Sequence, residues 1–139
     1  MLDEANLDFI ELNHDDVWTV SNLMRFTQLK QLTLPLALRR ADIIVSMPKM
    51  KTHHWAGATL GMKNLFGLVP GGVYGWPKNV LHWAGIDESI ADLHALFPPV
   101  FTLVDGIPGM EGNGQIQGTP RPPGVTVAGG RPAAVGASR

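Results

Sequence analysis

Two apolar, β-rich runs, Ile43-Ile44-Val45 and Val100 to Val104, flank a stretch in which Ile86, Ile90, Leu93 and Phe97 recur at helical spacing. A strand, a crossover helix and a second strand constrain the fold strongly, because such units close with parallel strands and a fixed hand. The uninterrupted β-branched run at Ile43 predicts a strand buried on both faces of a parallel sheet. Asp87 and Glu88 open the helix where its dipole favours carboxylates, and Pro98-Pro99 stops it. The class expected is α/β: a mostly parallel sheet with β-α-β units and an N-terminal β-hairpin or short strands.

The remaining segments add detail to that frame. Leu7 to Leu12 and Val17 to Ser21 read as two short strands joined through Asn13-His14-Asp15-Asp16. Leu29 to Leu38, interrupted by Pro35, reads as a short strand or turn followed by a helical turn, with Arg39-Arg40 answering the dipole at its end. Met62, Leu65, Phe66 and Val69 form one apolar helical face. Val69 to Pro77 is too rich in glycine and proline for long regular structure, and its aromatics Tyr74 and Trp76, with Trp83, suit a pocket wall or a core cap equally. Gly124 to Ala128 is a last strand, and the tail from Gly129 carries nothing that closes a fold. The expected unit is a single α/β domain over residues 1–139, with an incomplete domain as the alternative.

Charge points to one place. The chain has a net charge of −1, which gives no general drive toward nucleic acid or an anionic membrane. Yet between Asp42 and Asp87 there is no carboxylate, while Lys49, Lys51, Lys63 and Lys78 lie there together with His53, His54 and His82. Lys49 to His54 reads as a loop leaving the carboxyl end of the Ile43 strand, where α/β sheets usually bind ligands. The second strand delivers Asp105 and an acidic, glycine-rich loop, Ile107 to Gly118 with Glu111, to the same edge. The candidate ligand contacts are therefore Lys49, Lys51, Lys63, Lys78 and His82, with Asp105, Glu111 and His53 as candidate catalytic groups. A metal held by His53, Asp105 and Glu111 is the disfavoured alternative, since their spacing matches no strong ligand pattern.

Other classes are excluded by motif. Gly112-x-Gly114 lacks the spacing of a dinucleotide fingerprint, and Gly57 to Lys63 lacks the ending of a Walker loop. With no cysteine, this chain ligates no iron–sulfur cluster itself; any other cofactor is unknown. No apolar run approaches about 20 residues and the acidic start is unlike a signal peptide, so the default expectation is cytoplasmic, without a membrane partner.

Three runs are specific enough to name a family. Ala41-Asp42-Ile43-Ile44-Val45-Ser46-Met47-Pro48-Lys49-Met50-Lys51-Thr52-His53, Met62-Lys63-Asn64-Leu65-Phe66-Gly67 and Asp105-Gly106-Ile107-Pro108-Gly109-Met110-Glu111-Gly112 resemble the proteins grouped as domain of unknown function 362, over roughly Ala41 to Ala128. The resemblance implies an α/β protein, often joined to ferredoxin-like iron–sulfur modules and usually much longer than this chain. Gln115 departs from the family's usual proline, and Arg131 to Gly136 stands where an aspartate-bearing run is expected. The functions left in competition are three: a catalytic or ligand-binding core of a redox-associated protein with an anion site at strand carboxyl ends, a non-catalytic module meeting an iron–sulfur or other protein, and an incomplete, inactive fragment.

Overall fold

The N-terminal hairpin forms where alternating side chains have a partner to bury against. In the computed structural model, which describes residues 6–75 and 79–137, β1 (Val17–Ser21) pairs antiparallel with β2 (Gln31–Pro35), Val17 opposite Pro35 and Ser21 opposite Gln31. Leu32 and Leu34 of β2 are buried, and the Thr19 and Thr33 hydroxyls meet across the strands at 3.1 Å. This corrects the expected pairing: Leu7 to Leu12 forms no strand, and Leu7, Phe9 and Ile10 are exposed. The polar tetrad expected as its turn instead caps the next element. Asp15 Oδ2 accepts from Ala37 N at 2.7 Å in α1 (Leu36–Arg40), satisfying an N–H that the helix itself leaves open.

Next come β3 (Ile44–Ser46), β4 (Lys49–His53), β5 (Gly57–Thr59) and α2 (Gly61–Leu65), which runs into a 3-10 turn at Phe66–Leu68. Then follow α3 (Gly71–Tyr74), α4 (Val80–Trp83), α5 (Ile86–His94), β6 (Val100–Asn113), α6 (Gly114–Gln117), β7 (Gly118–Arg121), β8 (Val125–Gly129) and α7 (Pro132–Ala137). The spine is β6. On one side it pairs parallel with β3, Ile44 opposite Val100, and with β4 in the same register, Lys49 opposite Asp105, before the register shifts at Lys51. On its other side β8 and β7 run antiparallel, and β5 folds back antiparallel on β4. The result is an α/β fold with a six-stranded mixed sheet built on the parallel strands β3, β4 and β6.

Several expectations change. The Ile43 strand is not buried on both faces: β6 is its partner, and Ile43, Val45 and Met47 stay 57%, 59% and 68% exposed. Only the opposite face is covered, with Ser46 buried and Ile44 against the core. Lys49 to His53 is a strand and not a loop, and Asp105 to Asn113 continues β6 where an acidic loop was expected. Glycine serves packing there. A Cβ on Gly106 would stand 2.8 Å from Val125 O, and one on Gly109 about equally near Met50 O and Arg121 O, at 3.2 and 3.3 Å. The tail also packs, since α7 buries Val135 and crosses α2 so closely that a Cβ on Gly61 would lie 2.7 Å from Pro132 O. Helix α5 matches its periodicity, burying Leu93 in a core with Leu32, Leu34, Leu38, Phe66, Val69 and Leu81.

Candidate functional site

Strand β4 puts Lys51 and His53 two residues apart, hence on one face, and the antiparallel register sets Thr59 of β5 directly opposite Lys51. The β4–β5 turn is closed by His53 itself: Nδ1 accepts from Trp55 N at 3.1 Å and from Ala56 N at 3.2 Å. That nitrogen therefore carries no proton, and the neutral ring holds its proton on Nε2. Burial, then the charges of Lys63, His54, Lys51 and His82, lowers the His53 pKa to about 4. At neutral pH His53 is an uncharged donor.

Lys63 comes from α2. Its ammonium lies 4.5 Å from the Phe66 ring centroid, and burial together with Lys51 depresses its pKa. Among the described residues no carboxylate lies within salt-bridge distance of Lys51 or Lys63. Thr59 is buried, and its hydroxyl finds no hydrogen-bond partner among the described residues. An aromatic wall follows: His82 packs edge-on against Phe66 at 4.9 Å and Trp55 at 5.5 Å, with Trp83 beyond at 6.0 Å from Trp55. His82 donates from Nδ1 to Asn79 Oδ1 at 2.8 Å, because that amide oxygen only accepts. Lys78 lies outside the described residues, as does Trp76.

The other candidates have partners of their own. Lys49 Nζ meets Asp105 Oδ2 at 2.5 Å, and Asp105 Oδ1 accepts from Ile107 N, so Lys49 and that amide hold the Asp105 pKa down. Glu111 Oε1 accepts from Arg121 Nε at 2.5 Å across the β6–β7 pair. Among the described residues no group of three or more His, Asp or Glu side chains could hold a metal ion. A buried polar cluster elsewhere holds a carboxylate of the chain itself. The Asp92 carboxylate, fully buried, accepts from Asn22 Nδ2 (2.7 Å), Phe26 N (2.9 Å), Thr27 N (3.0 Å) and Thr27 Oγ1 (2.6 Å). Burial raises its pKa, but these donors outweigh burial and the net shift is downward.

Residues 1–137 match the family model described as "Domain of unknown function (DUF362)". The chain belongs to the DUF362 family. A curated relative, the thylakoid-associated protein sll1697 of Synechocystis sp., is 36% identical over 96 residues, covering 63% of this chain and 28% of the relative. The DUF362 chain thus spans about 28% of that relative's length. No solved structure matches it. The three runs that carried the resemblance occupy β3–β4, α2 and the far half of β6. Asn64 of the second run donates from Nδ2 to Ser46 Oγ of the first at 2.9 Å, tying α2 to the carboxyl end of β3. No helix among the described residues of this DUF362 domain is long and apolar enough to cross a membrane.

Residue-type reasoning missed Thr59 and Trp55. Their signal was the pairing: Lys51-Thr52-His53 and Gly57-Ala58-Thr59 are short polar strands around a turn, legible only once β4 is recognised as a strand. It also gave no role to Asp92, which is fully buried on α5.

Proposed function

We propose that Lys51, Lys63, His53 and Thr59 form a binding site for a small phosphate- or carboxylate-bearing ligand. What carries this reading is the mutual electrostatic effect of Lys51, Lys63 and His53 without a carboxylate at salt-bridge distance from either lysine among the described residues. Like charges gathered in a partly buried place destabilise one another, and an entering anion relieves that repulsion. The lysines act as point charges and set affinity, while His53 Nε2–H and the unpartnered Thr59 hydroxyl add direction. Lys51 and His53 lie on β4 itself and Thr59 on β5, and the short α2 that carries Lys63 supplies only one turn of helix beside them. Asp105 and Glu111, each held by its own cation, take a supporting role at most in this reading.

Lys51→Met and Lys63→Met keep much of the stem and delete the charge. Calorimetric titration with phosphate and acetate should show salt-sensitive binding by the parent chain that the folded double variant loses. Equal binding by the double variant would remove the site. A second reading, a module that meets another protein, is favoured by the apolar sheet face of Ile43, Val45, Met47 and Phe101. The relative's name adds a thylakoid association, which we propose for this chain only as one setting such a face would suit. Retention of a single, concentration-independent species on size exclusion, with no dye binding to apolar surface, would count against it.

A further inference from the structure

Lys63 belongs to two neighbourhoods. Besides facing Lys51 and His53, it lines a cleft of about 430 Å³ between β5, α2, α5 and α7, a volume in the range of small-molecule sites. Ala58, Leu60, Met62 and Ile90 give the cleft apolar walls, and its charged lining residues are Lys63 and Asp87. We infer that this cleft binds a small monocarboxylate with an apolar body, the body lying between β5 and α7 and the carboxylate meeting Lys63. The inference deepens the anion site proposed above and rests on it through Lys63.

Three observations lead there. Apolar walls reward buried methylene groups and offer nothing to a fully hydrated ion such as phosphate. Lys63 has no carboxylate at salt-bridge distance among the described residues, so a ligand's acid group would meet an unneutralised, half-buried ammonium. Asp87 lines the same cleft and penalises a second negative charge, which favours a monocarboxylate over a phosphate monoester of the same tail. The small side chains on the wall, Ala58 and Ala133 among them, are what leave the volume open.

The test is calorimetric titration of the chain with acetate, butanoate, hexanoate and hexyl phosphate. Affinity should rise about two- to fourfold per added methylene from acetate to hexanoate, and hexanoate should bind better than hexyl phosphate. Ala133 is exposed, so Ala133→Trp should fold, and it should abolish the chain-length increment. Ala58→Phe fills the cleft from the β5 wall and should do the same, which keeps the test open if one variant fails to fold. Asp87→Asn should narrow the preference for hexanoate over hexyl phosphate. A flat response to chain length, or an increment that survives both filled variants, would overturn the cleft site even if phosphate and acetate still bind at Lys51 and Lys63. A clear increment in hexanoate binding without measurable phosphate or acetate binding would support the cleft while the polar anion site fell.

Discussion

Replacing Asp92 by asparagine tests whether the loop from Asn22 to Thr27 is held by a buried carboxylate. In the parent both Asp92 oxygens accept, one from Phe26 N and the other from Asn22 Nδ2, Thr27 N and Thr27 Oγ1. Asparagine keeps one oxygen. If that oxygen takes the three-donor side, the new amide NH₂ points at Phe26 N and strands it. If it takes the Phe26 side, Asn22 Nδ2 and Thr27 N are stranded instead. A stranded buried donor costs about 1–3 kcal/mol, and the surviving bonds lose the charge that made them stronger than neutral ones. Asp92→Asn should therefore cost about 1–3 kcal/mol, toward the low end where the N–H of exposed Phe26 turns to water, against a total of very roughly 7–20 kcal/mol for a domain of this length. Urea unfolding at pH 7 reads this as a lowered midpoint at unchanged slope. The Asp92 pKa is lower folded than unfolded, so its contribution is complete above the unfolded value near 4 and fades as pH falls through the folded one. The gap between parent and variant should accordingly shrink in acid. A variant within about 1 kcal/mol of the parent at pH 7, or a gap that widens in acid, would refute a charged, fully satisfied Asp92.

Other perturbations separate the site from the scaffold. His53 should stay neutral until about pH 4 in an NMR titration, so stability falls as pH drops from about 6.5 toward 4, where the unfolded chain takes up the proton first; a folded His53 titrating at or above 6.5 would sink the assignment. Adding phosphate should raise the His53 pKa, because a bound anion offsets the lysines that depress it. Gly61→Ala drives a methyl group into Pro132 O and should cost about 1–3 kcal/mol, with amide exchange in α7 faster than in the parent; unchanged protection of α7 would show that the crossing is not tight. Asp105→Asn removes an exposed ion pair and should leave both the unfolding midpoint and phosphate affinity unchanged, so a marked loss of affinity would return Asp105 to the site.

The strands and helix that bury aliphatic residues were legible in the sequence. Val100 to Val104, the Ile86–Phe97 stripe and the turn at Pro35 all appear where local pattern put them, because burial there follows period and punctuation. The failures share a cause in contacts made far along the chain. Gly106, Pro108 and Gly109 look like a loop, yet β6 runs through them because β4, β7 and β8 pair along it, with a Cβ at Gly106 excluded by Val125 O and one at Gly109 tight against Met50 O and Arg121 O. Lys49 to His53 is too polar to announce a strand, and its strand character comes from β6 and β5 on either side. The hairpin's true partner was hidden because the loop between β1 and β2 is anchored by Asp92, distant in sequence. At the site, charge segregation pointed to Lys51, Lys63 and His53, whereas Thr59 and the cleft beside Lys63 depend on register and on α7, which local pattern does not encode.

The central position of β6 sets a timetable for folding. Its parallel partners β3 and β4 are synthesised first, but they have no parallel neighbour until Val100 to Asn113 has emerged from the ribosome. Until then the Ile43–Met47 run waits as an unpaired, apolar segment, the kind of nascent species that chaperones hold and that aggregates when crowded. Once β6 arrives, β7 and β8 follow at once as local antiparallel additions. A pause in translation between Phe97 and Val100 would lengthen that wait, whereas one after Asn113 would not.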